Sequence, residues 1–532
     1  MVEKSGHRPK WVANLRPGFA TVFLAIAGVY LLIQPTEFNT TDGAVRELVA
    51  KNLLYEHDFA LRQVEEGEFY NDMWSIGRDG RPYTYFGLGQ SLMEIPFLVL
   101  IDWAEALGIA RFLRPYHGLP VVAVMLISSA LIGAFVFGIV RQLGYRTATA
   151  LRVTALAAFG SILWGLSRQS YDMVQEAMGV TGAVYFAIAA QKSTGPWRWV
   201  QCAAAGLLYG MALITRASAV VAAPALALLA LGSPNWAGWR ERAKAALWCA
   251  AGGLALAWIV PAYNCLRFEN PFSFGYSGHR PYPGGPLLPG LAVWLFSPWQ
   301  GVLVYMPVLL ALPFAWRPFG RRHGHVLGAV VVLFAAYLVF YAQLTGLGSY
   351  GWGPYYLLAG VLPLYILFAE LFEHWQALTG WQRLITIALM ALSVLVQLPS
   401  LTVPSERYQS YLVVAKPDLP QEVLNWSLEW SPIRLQAEGT LVAFRNLPRW
   451  RDFIYSPSQY DAATLLAEYY AYNAPDWWWL FRLLHGSETS LAVPLTASVC
   501  AVWLLVHLSG IKSDRTAVPQ AGNSHPNADS TH

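Results

Sequence analysis

Residues 39–59 read NTTDGAVRELVAKNLLYEHDF and follow closely on the first long apolar run of the chain, FATVFLAIAGVYLLIQP (19–35). A chain leaving a membrane usually does so through a bland turn or a basic anchor. This one presents a carboxylate, Asp42, at the mouth of a half-apolar helix. In 43–56, Val45, Leu48, Val49 and Leu53 share one helical face, opposite Arg46, Glu47 and Lys51. That pattern predicts a helix lying on the bilayer surface. Asp42 then has two compatible readings. It is an N-cap accepting hydrogen bonds from free N–H groups, or a base at the membrane surface taking a proton from a hydroxyl.

Whether a membrane is there at all is decided by composition. Of 532 residues, 55% are hydrophobic and 13% charged, against roughly 25% charged in soluble proteins. Lipid therefore replaces water around much of the chain. A net charge of +4 is too small to imply nucleic acid. The cysteines Cys202, Cys249, Cys265 and Cys500 lie in or beside apolar runs with no CxxC pair, which predicts buried free thiols rather than disulfides or a thiolate metal site.

Twelve runs approach the length needed to cross the hydrocarbon core, near 18–34, 118–140, 149–166, 174–190, 199–215, 217–232, 246–264, 300–316, 326–343, 354–372, 384–401 and 489–509. The first lacks a small-residue cleavage site and reads as an uncleaved span. Lys and Arg of short loops set the orientation. Arg141, Arg146 and Arg152, Lys192 and Arg198, Arg240, Arg242 and Lys244, and Arg317, Arg321 and Arg322 fall on one side, leaving little beyond Arg168 and Arg216 on the other.

The expected division is a cytoplasmic N-terminus (1–17), a transmembrane domain (18–401) whose outer loop 35–117 carries the site, an outer loop domain (402–488), a last span (489–509) and a disordered cytoplasmic tail (510–532). Loop 265–299 also falls outside. A second surface helix is expected at 90–107, and no internal repeat of the inverted-repeat transporter kind is present.

The other chemistry-bearing residues lie at span edges. Asp172 and Glu176, in LSRQSYDMVQEAMG (166–179), share a helix face by their i,i+4 spacing; the plain reading pairs Asp172 with Arg168. Arg216, in GMALITRASAVV (210–221), and Arg267, in YNCLRFENPFSFGY (263–276), are placed either to snorkel or to hold a phosphate. HGH (323–325) lacks further metal ligands, and GLGSYGWG (346–353) lacks the strand–helix unit of a dinucleotide loop.

The order of these features resembles membrane glycosyltransferases of the GT-C superfamily, especially bacterial members of glycosyltransferase family thirty-nine, relatives of protein O-mannosyltransferases and aminoarabinose transferases. TTDGAVRELVAKNLL (40–54) is similar to the family's acidic opening and places Asp42 at its catalytic carboxylate. GRPYTYFGLGQSLMEIPFLV (80–99), with Tyr85, resembles the Tyr-Pro-rich segment before a surface helix. Glu176 is the closer match to a second acidic residue, with Asp172 beside it.

VPAYNCLRFENPFSFGYSG (260–278), with Arg267 and Tyr276, and LFSPWQGVLVYMPVLL (295–310) resemble two distinctive bacterial stretches. In GSYGWGPYYLLAGVLPL (348–364) the family's Arg after Gly-Pro is Tyr355. Loop 402–488 matches nothing apart from a Trp-rich PDWWW (475–479).

The resemblance implies an all-α polytopic bundle of about twelve transmembrane helices with extracytoplasmic surface helices and a small extracytoplasmic loop domain. It implies a polyprenyl-phosphate-linked sugar as donor and an envelope glycan, lipid or protein as acceptor, at the outer face of a bacterial inner membrane. Asp42 would take or orient the acceptor proton. Arg216 and Arg267, with Tyr85 and Tyr276 nearby, would hold donor and leaving phosphate, and Glu176 and Asp172 would bind sugar or acceptor. No cofactor or metal is implied. The rival readings are a transporter or lipid flippase and a non-catalytic scaffold.

Overall fold

A computed structural model of the chain describes residues 18–35, 40–65, 73–108, 118–233, 235–276, 282–345, 351–405, 418–447 and 475–480, with isolated positions 408, 412 and 499. The ends 1–17 and 510–532, the expected span 489–509 apart from residue 499, and much of 402–488 lie outside them.

Helices dominate because most apolar runs are long, and a backbone without water nearby must satisfy its own hydrogen bonds. They are α1 (Phe19–Leu31), α2 (Thr41–Lys51), α3 (Gly89–Ala106), α4 (Leu119–Gln142), α5 (Thr147–Phe159), α6 (Met173–Lys192), α7 (Gly195–Thr215), α8 (Ala223–Leu231), α9 (Trp239–Ala257), α10 (Ile259–Phe268), α11 (Leu287–Phe296), α12 (Leu312–Ala342), α13 (Tyr355–Glu373, partly 3-10), α14 (Gly380–Gln397) and α15 (Pro432–Asn446).

Among the described residues, six stretches are long and apolar enough to cross a membrane: Leu119–Gln142, Met173–Lys192, Trp239–Phe268, Pro307–Ala342, Tyr355–Glu373 and Gly380–Leu401. With the composition, they make this a multi-pass membrane protein. Four apolar helices, α1, α5, Ala217–Leu231 and α11, are shorter than a full crossing.

Several expectations are adjusted. The run 149–166 is broken at Gly160 and resumes as one turn, Leu163–Leu166. The runs 300–316 and 326–343 join through an Arg-rich segment that stays helical apart from a kink at His323 (φ −136°, ψ 45°). The fold is not purely helical either. Among the described residues, two short antiparallel ribbons occur, β1 (Trp74–Ile76) with β2 (Pro82–Thr84), and β3 (Tyr282–Pro283) with β4 (Leu344–Thr345). Of the cysteines, Cys202 is buried as expected, but Cys265 is exposed.

Helix α6 forms the centre of the core, buried along nearly its whole length between α4 and α7. Behind α7, helix α9 crosses so closely that a Cβ on Gly206 or Gly210 would collide with the backbone of Cys249 or Gly253. The Gly-x-x-x-Gly spacing permits that approach, as at membrane helix crossings generally. The far face of α9 and α10 exposes Leu247, Leu254, Trp258 and Leu266, as suits a lipid-facing rim.

Candidate active site

The charge gathers where α2 and α6 begin and α7 ends. Thr40 caps α2, its hydroxyl accepting from the Gly43 N–H at 3.0 Å. Asp42 is therefore not the cap. It is the second residue of the helix, where the dipole favours a carboxylate, and its side chain turns to Arg46.

Arg46 was expected on the water face, yet its side chain is only 1% exposed. One amino group lies 3.4 Å from Asp42 Oδ2 and 3.0 Å from Asp172 Oδ2. The other donates to the Ser170 carbonyl at 3.2 Å, and the guanidinium sits 3.9 Å over the Phe86 ring. The apolar face of α2 is buried too, with Val45 and Val49 against Phe86, Leu88 and Tyr263. So α2 does not float on a bilayer by one face: it is enclosed on both.

The lid over it is α3, whose Ser91 hydroxyl donates to the Arg46 carbonyl at 2.8 Å. On α3 the polar residues Gln90, Ser91 and Glu94 are buried while Val99, Leu100 and Trp103 are exposed. Burial, with Glu47 adding repulsion, pushes the Glu94 carboxyl up to about 8, so it is largely protonated at neutral pH.

Asp172 holds the middle of the cluster. Its Oδ1 accepts from Arg216 at 2.6 Å and its Oδ2 faces Arg46. Arg168 does not spend itself on Asp172 as the plain reading had it, but donates to the carbonyls of Ile33 (2.8 Å) and Ser400 (3.1 Å) and pairs with Asp476. Glu176, one turn deeper on α6, also faces Arg216 (3.3 Å from Nε) and accepts from Tyr337 at 2.7 Å and Ser218 at 3.4 Å. The shared face read from the i,i+4 spacing is thus real, but the central position belongs to Asp172.

Arg216 follows α7 in extended conformation (φ −144°, ψ 123°) before a 3-10 turn. Its side chain, 17% exposed, runs inward to the carboxylates rather than snorkelling to a headgroup. The start of α3 lies directly on the end of α7, because a Cβ on Gly87 or Gly89 would strike the Thr215 backbone.

The cluster sets three carboxylates (Asp42, Asp172, Glu176) against two guanidiniums (Arg46, Arg216). Burial raises the Asp42 carboxyl above the ordinary carboxylate range; Arg46 and Arg216 pull it back, and Asp172 pushes it further up. Among the described residues, Arg216 Nε, which faces Glu176 only as an ion pair at 3.3 Å, lacks a well-formed hydrogen bond, as do Arg46 Nε and the buried Tyr341 hydroxyl. Tyr341 packs on Tyr356 (5.1 Å between ring centres), over which Arg216 itself lies at 5.4 Å. Arg216 and Tyr341 thus stand together beside the carboxylates.

Tyr85 and Tyr276 meet at 4.7 Å between ring centres. Tyr276 is 37% exposed; its phenol, raised by desolvation, feels the charges of Arg216, Asp172, Arg46 and Asp42, which puts it at the site. Arg267 faces elsewhere. Its N–H groups are spent on the carbonyls of Thr84 and Phe86 and on Asn264 Oδ1 (2.8 Å), and it stacks 3.7 Å over Tyr263. It braces the loop that holds Phe86 under Arg46, an indirect role in place of the expected phosphate contact.

Tyr355, where the resemblance calls for Arg, is stacked between Tyr171 (5.0 Å) and Tyr356 (4.4 Å). Sequence reasoning missed Arg46, Ser218, Tyr337, Tyr341 and Tyr356. The i,i+4 spacing of Tyr337 and Tyr341 was an available signal. Among the described residues no three His, Cys, Asp or Glu side chains group as metal ligands.

No family model and no curated protein matches this chain. Among solved structures it is similar to ArnT from Cupriavidus metallidurans bound to undecaprenyl phosphate, at 15% identity over 94% of this chain and 78% of that one, with a TM-score of 0.50. The Archaeoglobus fulgidus oligosaccharyltransferase in its apo form is matched more loosely, at 10% identity over 88% and 65% of the two chains and a TM-score of 0.42. The likeness to ArnT shows a common fold.

Proposed function

We propose that this chain is a membrane glycosyltransferase that moves a sugar from a polyprenyl-phosphate donor to an acceptor hydroxyl on the extracytoplasmic face. The observation that carries the reading is the convergence of Asp42, Asp172, Glu176, Arg46 and Arg216 from separate elements into one buried cluster. A solved protein of the same fold binds undecaprenyl phosphate, which supports the donor class.

In the reaction the acceptor oxygen attacks the anomeric carbon, the bond from that carbon to the phosphate oxygen breaks, and the acceptor proton passes to Asp42. A carboxyl raised above its usual range is the better base for a hydroxyl. The charge left on the departing phosphate is met by Arg216, with the Tyr341 hydroxyl turned to the same need. Asp172 holds both guanidiniums in register, and Glu176 with Tyr337 and Ser218 offers a polar floor for sugar hydroxyls or acceptor.

The position of the cluster favours an enzyme over a transporter. Asp172 precedes α6, Arg216 follows α7 and Asp42 opens α2, whereas transporter sites lie near mid-span. The test is a panel of radiolabelled polyprenyl-phosphate sugars given to purified protein with membrane acceptors. Label should reach the acceptor and stop doing so in Asp42→Asn. Substrate movement across proteoliposomes with no transfer would sink the reading. Sidedness is tested by cysteines at exposed positions: outside reagent should label replacements of His57, Asn270 and Glu429 but not of Thr194 or Arg321. Strong outside labelling at Arg321 would reverse the orientation.

A further inference from the structure

The PDWWW motif is not used by the reaction just described, yet it is bound tightly beside the site. Each of its indoles donates to a carbonyl at a helix end: Trp478 to Leu31 (2.8 Å), Trp479 to Leu32 (2.8 Å) and Trp477 to Leu401 (2.6 Å). These are carbonyls that a terminating helix leaves without an internal partner. The backbone joins in, with the Asp476 N–H on Thr402 O (3.2 Å) and the Trp478 N–H on Gln34 O (3.1 Å). Residues 475–480 are thus a strap across the end of α1 and the 3-10 turn Leu398–Leu401 that follows α14.

Arg168 binds the same two ends, at Ile33 O and Ser400 O, and pairs with Asp476. Its side chain is fully buried, so losing the charge of that carboxylate is costly for it. Arg168 lies two residues before Ser170 and four before Asp172. The Ser170 carbonyl accepts from Thr40 and from Arg46, at 3.2 Å each, and a Cβ on Gly43 would collide with Ser170 Cβ. The start of α2 therefore docks on the turn 167–172, and Gln34 Nε2 adds a bond to Ser167 O at 3.0 Å.

We propose that Asp476 is a positioning residue: through Arg168 it fixes the turn 167–172, and so sets the distance between Asp42 on α2 and Asp172 at the start of α6. The catalytic part of this proposal rests on the transferase reading; the mechanical part does not. A strap more than 300 residues away in sequence then tunes the reacting geometry without touching a substrate.

The test uses the full-length protein in nanodiscs with two readouts, amide hydrogen exchange without substrate and transfer kinetics with the active donor. Asp476→Asn preserves size and removes the charge; Asp476→Glu restores it. In Asp476→Asn, exchange across 167–172 should rise about tenfold while α4 and α6 keep their protection. Its kcat should fall roughly 10–100-fold through misplaced groups, with little change in donor KM, and Asp476→Glu should recover most of both.

Unchanged exchange at 167–172, or a rise spread evenly through the spans, would overturn the clamp. Faster exchange there with a normal kcat would overturn the positioning role. A wild-type protein inactive on every donor would defeat the transferase reading and the catalytic part with it, while the exchange data still decide whether the strap holds the turn.

Discussion

The molecule holds two networks of Arg and carboxylate near opposite ends of α12. Tyr337 and Tyr341 stand by the Asp42 cluster, and Arg322, fifteen residues before Tyr337 and so roughly 22 Å away along a helix, stands by the other. There Glu370 accepts from Tyr145 at 2.6 Å and faces Arg322 (3.4 Å) and His374 (3.3 Å), while Glu373 faces Arg146 (3.1 Å). In this second network the basic side chains are in water: Arg322, His374 and Arg146 are 52%, 54% and 68% exposed. In the first, Arg46 and Arg216 are 1% and 17% exposed. Water and salt can replace a partner in the second network, whereas in the first a lost partner leaves a buried charge unpaired. An ion network is a candidate site when it is dry, shared and unbalanced, and an anchor when its cations are wet.

The sharpest way to break this contrast is to neutralise the carboxylates of the first network. Asp42→Asn and Asp172→Asn should each lower transfer by ~10²–10⁴. Because Thr40 is the cap, Asp42→Asn should leave α2 and the expression level intact, and Asp42→Glu should keep weak activity. From sequence alone Asp172 ranked below the other carboxylates; its place between two guanidiniums makes it the equal of Asp42. Transfer within a few-fold of wild type in both Asn variants would put the first network in the same class as the second.

Next in size is Arg216. Replacement by Ala should abolish most turnover or donor binding and strand Asp172 and Glu176 without their shared cation. Arg216→Lys should retain part of it, since Lys keeps the charge but loses the fork that reaches two carboxylates. Equal donor affinity and rate in the Ala variant would show that Arg216 only balances charge.

Arg46 sharpens the comparison through pH. It holds the Asp42 carboxyl down against burial. In Arg46→Gln that restraint is gone, so the folded-state pKa of Asp42 moves further up. A base works only when ionised, so activity should be lost as pH falls through that value. The acid limb of the pH–rate profile should therefore shift to higher pH than in wild type, with the alkaline plateau less affected. A shift toward lower pH, or none, would mean that Arg46 does not act on the proton acceptor.

How far the sequence foretold this contrast follows from what each residue depends on. Apolar length is local, so spans such as 118–140 and 174–190 were legible. So was the common face of Asp172 and Glu176, because helical spacing alone dictates it. Arg46 was not: on an isolated helix it opposes Val45 and Val49 and reads as solvated, and only the covering by α3 and the loop at Phe86 makes that face interior. Arg267 failed in the other direction. Its basic character and location matched a phosphate ligand, but the carbonyls of Thr84 and Phe86, distant in sequence, claim its donors first. Similarly, Thr40 rather than Asp42 became the cap because the chain turns extended at Thr40 (φ −139°, ψ 139°), a one-residue choice that NTTD leaves open.

The smallest effect is expected from the second network, and it closes the comparison. Glu370→Gln keeps an acceptor for the Tyr145 hydroxyl and removes a charge whose basic neighbours, Arg322 and His374, are more than half exposed. Arg322 and His374 then return to water instead of being stranded, so stability should fall only by ~0.5–1 kcal/mol, the scale of exposed pairs. Transfer should stay within about twofold of wild type, because nothing in the Asp42 cluster loses a partner; the double variant Glu370→Gln with Asp42→Asn should be no less active than Asp42→Asn alone, as expected for distant sites that act independently. Transfer assays and thermal unfolding of the single and double variants measure both quantities. A loss of transfer in Glu370→Gln comparable to that in Asp172→Asn would mean that α12 couples its two ends, and that wet cations are no mark of a mere anchor.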